Sequence, residues 1–180
     1  MIKSMLTKLA CIFRWLIVRI NNIGRVSIPI HSRLASNTKV YTSNGKIKFG
    51  MGFISSTNTA FSALDGGEMI IGKRVVVNRN SMFICRKRIS IGDHCTFGPN
   101  VCIYDHDHYY GIEGVKPGYK YGDVVIDDHC WIGAGTIILR GSHIGEGSIV
   151  GAGCVIKDNI PPHSLVTMER QLKIREISND

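Results

Sequence analysis

The sequence predicts an all-β fold in which short strands wind into a triangular prism of stacked coils. Three observations indicate this fold: aliphatic residues recur at every sixth position, small residues follow most of them four places later, and the 180 residues include 20 glycines but only 8% aromatic residues. Because glycine tolerates the backbone geometry of tight corners, this composition favours many turns over a helical bundle.

The sixfold repeat is uninterrupted in the second half of the chain. The β-branched aliphatic residues are Ile126, Ile132, Ile138, Ile144, Val150 and Ile156. Small residues stand four places after five of these six, at Cys130, Thr136, Ser142, Ser148 and Cys154. Three six-residue pieces make one coil, in which the aliphatic side chain fills the interior and the small one leaves room beside it.

The spacing of the repeat changes further upstream. Two earlier runs keep the period, at Ile71, Val77 and Phe83 and at Ile91, Phe97 and Ile103. The step of eight between these runs predicts a small insertion at a corner over residues 85–90, and weak traces over 27–60 predict irregular early coils. The step of 23 from Ile103 to Ile126 is five more than one coil of three sixes, which predicts a loop extruded over 104–125. Such loops often carry catalytic residues.

The net charge of +8 is concentrated at the start of the chain. Nine basic residues and no acidic one precede Asp65. This asymmetry suggests an anionic partner, such as a membrane surface or a phosphorylated ligand, although solubility alone would also explain it. No nucleic-acid partner is predicted, because charge is the single feature that points to one.

Residues 1–26 predict a basic amphipathic helix. One of its faces would carry Leu9, Ile12, Phe13, Leu16, Ile17 and Ile20. Arg14 and Arg19 make the apolar run too charged to span a bilayer, and it lacks the cleavage site of a signal peptide. Two interpretations stay open: this face packs on the domain or on a neighbouring subunit, or the helix lies on an anionic membrane with Trp15 at the interface.

The six cysteines include no CxxC pair. Their spacing therefore predicts neither a zinc site nor a redox site. We expect a cytoplasmic protein whose thiols are buried and act as small apolar side chains.

Residues 71–165 resemble the hexapeptide-repeat acetyltransferases, which include galactoside and maltose acetyltransferases and many surface-polysaccharide O-acetyltransferases. The resemblance is carried by the sixfold repeat, the histidine-containing loop, and the segments Cys130–Ala134 and Val150–Pro162. It implies a left-handed parallel β-helix over 27–165, a tail over 166–180 with a short helix from Glu169 to Ile177, and a homotrimer. It also implies acetyl-CoA as the acyl donor, a glycan as the acceptor and no resident metal.

The same resemblance assigns residues to the site. His108 takes the place of the catalytic histidine, with His106 as the alternative. Predicted acceptor-binding residues are Asn78, Asn80, Asp105 and Tyr109, and predicted CoA-binding residues are Trp131, Gly133, Ala134, Ala152, Lys157 and Arg170. Two segments depart from the family pattern. Val166–Leu172 replaces the usual final turn, and residues 1–25 do not match the N-terminal region of sugar acetyltransferases.

The chemistry of acetyl transfer fits these residue types. A histidine can take the proton of an acceptor hydroxyl near neutral pH, and Asn78 or a backbone N–H could stabilise the oxyanion. Asp105, Asp107 or a backbone carbonyl could orient the histidine. Alternative interpretations are acetylation of an amino sugar, serine or a drug, a non-catalytic trimeric scaffold, and a zinc hydratase on the same fold.

Overall fold

The computed structural model describes residues 2–169, with side chains from Leu9 onward. Its helix is α1 (Ile2–Asn21). The strands, in chain order, are β1 (Val26–Ser27), β2 (Arg33–Leu34), β3 (Lys39–Ser43), β4 (Lys46–Phe49), β5 (Ile54–Ser55), β6 (Ala60–Leu64), β7 (Glu68–Ile71), β8 (Val76–Val77), β9 (Met82–Cys85), β10 (Arg88–Ile91), β11 (Thr96–Phe97), β12 (Cys102–Tyr104), β13 (His106–Gly111), β14 (Gly114–Tyr121), β15 (Val124–Ile126), β16 (Trp131–Ile132), β17 (Ile137–Ile138), β18 (His143–Ile144), β19 (Ile149–Val150), β20 (Val155–Ile156), β21 (Asn159–Ile160) and β22 (Leu165–Val166). The predicted C-terminal helix, and with it Arg170, lies outside the described residues.

The strands form the three faces of a prism. The first face is β1-β4-β7-β10-β15-β18-β21, the second is β2-β5-β8-β11-β16-β19-β22, and the third is β3-β6-β9-β12-β17-β20. All pairings within these faces are parallel, and residues of the predicted repeat stack directly, as in Ile126 on Ile144 and Ile138 on Ile156. The left-handed parallel β-helix is therefore confirmed.

The prediction of irregular early coils is wrong. Ile47 pairs with Met69 and Met69 pairs with Ile89, so successive early coils stack in register as the later ones do. More residues separate these early stacked partners along the chain than separate Ile126 from its partner Ile144. The early coils are regular but wider, because the third-face strands β3 and β6 have five residues where β17 and β20 have two. The longer strands hide the sixfold spacing without breaking the fold.

The width of each coil matches the side chains inside it. A column of buried phenylalanines fills the wide coils, with ring centroids 4.6 to 5.5 Å apart between neighbours, at Phe49, Phe53, Phe61, Phe83 and Phe97. The narrower late coils hold isoleucine and valine, and four of the six cysteines are buried as free thiols. A larger cross-section needs larger side chains to reach close packing.

Asparagines form a ladder along the corner between the second and third faces. Asn37, Asn58, Asn80 and Asn100 all have φ between 58° and 60°, in the left-handed region that asparagine tolerates better than most residues. The Nδ2 of Asn37 donates to Oδ1 of Asn58 at 3.1 Å, and Asn58 donates likewise to Asn80 at 3.3 Å. These amides therefore link successive coils.

Carboxylates connect the coils at the corner between the first and second faces. The backbone N–H of Lys73 donates to Oδ1 of Asp93 at 2.7 Å, and the N–H of Asp93 donates to Oδ1 of Asp128 at 2.7 Å. The Lys73 N–H holds the pKa of the Asp93 carboxyl below its usual value. Each aspartate therefore accepts a hydrogen bond from a backbone N–H of the preceding coil.

Acidification is expected to remove the stabilising effect of the Asp93 charge. Since the folded-state pKa of Asp93 is lowered, its contribution is fully present above the unfolded pKa and is lost as pH falls through the folded pKa. Near neutral pH, Asp93→Asn should lower the free energy of unfolding by about 1 kcal/mol or less, because the group is close to solvent. Urea unfolding at several pH values should show this difference vanish in acid. Asp158→Asn, at an exposed acid, is the control, and a pH-independent difference would contradict the assignment.

Helix α1 packs on the first coil with the side opposite to the predicted apolar face. Val18 is buried, the indole N–H of Trp15 donates to the Ile28 carbonyl at 3.1 Å, and Asn22 donates to the Val18 and Val40 carbonyls. The predicted face from Leu9 to Ile20 is exposed. Packing of that face on its own domain was therefore a wrong expectation, as was Trp15 at a membrane interface. Within residues 2–169, no helix has the length and apolar character that crossing a bilayer requires.

Candidate functional site

The predicted extruded loop forms a β-hairpin. Strands β13 and β14 pair antiparallel from His106–Tyr121 to Gly111–Gly114, with a register shift after His108. The hairpin leaves the prism between β12 on the third face and β15 on the first face. The N–H of Gly122 donates to the Asp105 carbonyl at 2.9 Å and closes its base. The surplus residues thus form an ordered arm at one edge of the prism.

Asp105 anchors this arm. Its side chain is completely buried, and its carboxylate accepts the backbone N–H of Arg86 at 2.9 and 3.0 Å and that of Lys87 at 2.7 Å. Burial, together with the Asp105 charge, raises the pKa of the neighbouring Cys85 thiol. A buried carboxylate with three such contacts joins the hairpin to the preceding coil. Asp105 therefore does not face a ligand as an acceptor-binding residue would.

His106 is held by the buried aspartate. Its Nδ1 lies 2.9 Å from Oδ1 of Asp105, and its side chain is 11% exposed. The ring stands edge-on to Tyr119 at 5.3 Å and to Tyr104 at 6.4 Å. Burial raises the pKa of Tyr104 to about 12, so this phenol stays neutral beside the imidazole. His106 therefore has the orienting carboxylate that a catalytic histidine needs, but little access to solvent.

His108 has the complementary properties. Its side chain is exposed, and its ring centroid lies 4.7 Å from that of Tyr119. The Arg86 guanidinium in turn lies over the Tyr119 ring, 4.0 Å from its centroid. Asp107, between the two histidines, accepts from Nε of Arg140 at 2.6 Å. His108 is thus presented to solvent on an arm that neighbouring coils hold in place.

Sequence reasoning missed Arg86 and Arg140. Arg86 also pairs with Asp65, and it belongs to the basic run at residues 85–90 that predicted only a corner insertion. Arg140 follows an ordinary repeat position. Their roles depend on which coil lies beside the hairpin, and the spacing of residues in the sequence does not predict this contact. Among the predicted acceptor residues, Tyr109 lies on the hairpin with its ring 5.7 Å from the Lys120 ammonium.

Asp105→Asn is expected to destabilise the base of the hairpin. The amide has one acceptor oxygen instead of two, and its NH₂ would face backbone donors, which should lower the free energy of unfolding by about 1–3 kcal/mol. Hydrogen exchange at the amides of Arg86 and Lys87 should become faster. The control is Asp107→Asn, whose carboxylate is 45% exposed and should cost less than about 1 kcal/mol. Unchanged exchange at both amides would contradict the anchoring role.

The predicted asparagines and the small predicted CoA-binding residues lie at another edge. Asn78 and Asn80 stand at the corner between the second and third faces, where Asn78 donates to the Phe97 carbonyl at 3.0 Å. The same corner carries Gly133, Ala134 and Ala152 in later coils. The hairpin leaves from the opposite edge of the third face. One chain therefore does not bring its histidines and these residues together.

Tight stacking explains part of the small-residue pattern at this corner. A Cβ on Gly133 would lie 2.6 Å from the backbone nitrogen of Ala152, so coil packing alone requires glycine there. Trp131 lies on β16, the strand of the second face that leads directly into this corner, and it is 54% exposed. Lys157 is also exposed, but it follows β20 on the edge from which the hairpin leaves. The corner offers a surface of small residues beside an exposed indole.

Three further histidines form contacts away from the hairpin. His94 and His129 stack at 4.9 Å between ring centroids, and His143 pairs with Asp127 at 2.8 Å. In the described part of the chain, no three His, Cys, Asp or Glu side chains converge as a metal site would require.

Two segments match families of repeat sequences. Residues 123–158 match the bacterial transferase hexapeptide family (six repeats), and residues 88–113 match the hexapeptide repeat of succinyl-transferase. These matches show that both segments carry hexapeptide repeats of the kind found in bacterial transferases. The chain is 36% identical over 103 residues to the galactoside O-acetyltransferase of Lactococcus lactis, and this alignment covers 56% of the chain and 50% of the relative.

Two further comparisons give another curated relative and a solved structure of the same fold. The chain is 36% identical over 116 residues to an acetyltransferase candidate of Schizosaccharomyces pombe, which covers 64% of this chain and 56% of the relative. The chain thus spans only about half the length of these curated relatives. A variant of AntD, an N-acyltransferase from Bacillus cereus solved with a dTDP-amino sugar and coenzyme A, has the same fold. Its TM-score is 0.71 at 20% identity, covering 88% of this chain and 89% of AntD.

Proposed function

We propose that this protein is an acetyl-CoA-dependent O-acetyltransferase that acts on a sugar hydroxyl, with His108 as general base. The observation that carries the proposal is the ordered hairpin, which presents an exposed histidine beside an orienting and anchoring set of side chains. The hexapeptide-repeat match and the sequence identity to a galactoside O-acetyltransferase support the reaction class.

His108 rather than His106 is proposed as the base because a base must reach the proton that it removes. The His106 side chain is 11% exposed and its Nδ1 is engaged by Asp105. Exposed His108 can approach a bound acceptor, take the proton of its hydroxyl and later return that proton to the departing thiolate. His106 is proposed as a positioning residue: its ring contacts Tyr119, which in turn contacts His108.

Acetyl-CoA supplies an acetyl group already activated as a thioester, so no serine or cysteine nucleophile is required. The residues proposed to hold acetyl-CoA are Trp131, Gly133, Ala134 and Ala152. The glycine and the two alanines leave room for the thin pantetheine arm beside the Trp131 indole. Lys157 is proposed to bind a phosphate group of CoA. Since the small corner residues and the hairpin occupy different edges of one prism, we propose a homotrimer whose sites form between adjacent chains.

The direct test incubates the purified chain with acetyl-CoA and a panel of free sugars, oligosaccharides and nucleotide sugars, including a dTDP-amino sugar. Mass spectrometry should show one acceptor gaining an acetyl group, and it avoids thiol reagents that six cysteines would consume. Hydroxylamine should release the group, because it cleaves esters and spares amides. An amide product would replace O-acetylation with N-acetylation. Absence of both transfer and acetyl-CoA binding would refute the proposal.

Subunit complementation tests the shared site. Ala152 is exposed, so Ala152→Trp should fill the CoA surface without disturbing the core, and His108→Ala removes the base. Each variant alone should be inactive, whereas trimers reassembled from both should recover part of the wild-type activity. Light scattering should show the three-chain mass. A lack of recovery in mixed trimers would place each site within one chain.

A further inference from the structure

Helix α1 leaves a continuous apolar surface exposed to solvent. This outer face consists of large side chains that are each 40% to 64% exposed, at Leu9, Ile12, Phe13, Leu16, Ile17 and Ile20. Ile23, just past the helix, is 80% exposed. The inner side is already satisfied by its contacts with the first coil, so the outer face has no role in holding the helix in place. A patch of this kind marks an interaction surface.

A basic cleft adjoins the outer face. The cleft, about 490 Å³ in volume, is lined by the cationic side chains Arg19, Arg25, Lys46 and Lys48, with Glu68 at its far side. Glu68 lies 3.8 Å from Arg88, which offsets its charge. A smaller hollow of about 260 Å³ shares Arg19 and Gly24 with the cleft and is lined by Leu16, Ile20 and Ile23. The apolar outer face of α1 is therefore continuous with the basic cleft.

The charge of this region favours an anionic occupant. No acidic residue precedes Asp65 in the chain, so a second copy docking here through the same surface would bring cations against cations. An anionic bilayer offers the complementary pair of features: acyl chains for a row of apolar side chains and negative headgroups for the flanking lysines and arginines. Within residues 2–169, α1 does not have the length and apolar character that crossing a bilayer requires, and it is fixed to the prism along its inner side.

We propose that the outer face of α1 and the adjoining basic cleft dock this protein onto an anionic lipid surface. In this arrangement the helix lies parallel to the membrane, with Phe13 and Ile20 entering the acyl boundary. Arg19, Lys46 and Lys48 meet the headgroups. Trp15 does not insert, because its indole N–H is bonded to the Ile28 carbonyl and its ring carries Arg19 at 5.1 Å.

Vesicle flotation of the full chain tests the proposal. The protein should float with vesicles of phosphatidylcholine and phosphatidylglycerol, and much less with phosphatidylcholine alone or at high salt. Phe13→Ser with Ile20→Ser should weaken partitioning at least roughly tenfold, since two large apolar side chains leave the acyl boundary. Lys46→Gln with Lys48→Gln should also weaken it, and only on anionic vesicles.

Matched controls use the far part of the prism. Leu165→Ser removes an apolar side chain that is 70% exposed, and Arg79→Gln removes an exposed charge away from the cleft. Both should float like wild type, and circular dichroism should show that all variants fold. The proposal is overturned if wild type stays in the bulk phase with anionic vesicles, or if the controls lose binding equally. It is also overturned if the Phe13 and Ile20 double variant dissociates the oligomer while wild type ignores vesicles, because the face would then be a subunit contact.

Discussion

His108→Ala is expected to lower kcat by about a hundredfold to ten-thousandfold, the usual contribution of a general base. KM for the acceptor should change much less, because the base acts mainly on the proton that moves during transfer. His108→Gln should be nearly as slow as alanine, since an amide of similar size can donate and accept hydrogen bonds but cannot take a proton at neutral pH. Steady-state rates with the acceptor found by mass spectrometry measure both effects.

His106→Ala is the matched comparison on the same strand. Its ring packs between Asp105, Tyr104 and Tyr119, so its removal should loosen the hairpin and lower stability, with a smaller loss of kcat than at His108. His143→Ala, at a histidine on another part of the prism, should leave kcat unchanged. If His106→Ala abolishes transfer while His108→Ala retains it, the base is the largely buried histidine, and the assignment by exposure is wrong.

Phe83→Ala is expected to lower the free energy of unfolding by about 3–5 kcal/mol, the range for deleting a fully buried aromatic side chain. Phe83 is completely buried, and its ring lies between those of Phe61 at 5.2 Å and Phe97 at 5.1 Å. The loss combines lost burial with a cavity that rigid coils cannot close, because their backbones are tied to the coils on both sides. Urea unfolding monitored by circular dichroism measures it.

Two controls separate burial from residue type. Phe13→Ala deletes the same side chain where it is 64% exposed, and it should change stability by less than about 0.5 kcal/mol. Phe83→Leu should cost less than alanine, because leucine refills part of the space. If Phe13→Ala and Phe83→Ala have equal effects, the phenylalanine column is not what sustains the wide coils.

The second half of the fold was readable directly from the sequence. In this half every coil consists of three six-residue pieces, so Ile126, Ile132 and Ile138 face the interior at intervals of six residues. This period alone predicts the β-helix. The extruded hairpin was readable for the same reason, because surplus residues between two points of a rigid repeat must leave the prism. The coils before Ile71 could not be predicted from the sequence, since lengthening one face by a few residues removes the period but preserves the pairing.

Local sequence alone determined the prism, the histidine-bearing arm and the amphipathic character of α1, because each follows from spacing along the chain. Only the tertiary structure decided how these parts face one another. It placed Asp105 under His106, Arg86 on Tyr119 and the apolar side of α1 toward solvent. These outcomes depend on which coil lies beside which, and that is set by the summed packing of the whole prism rather than by any short stretch of residues.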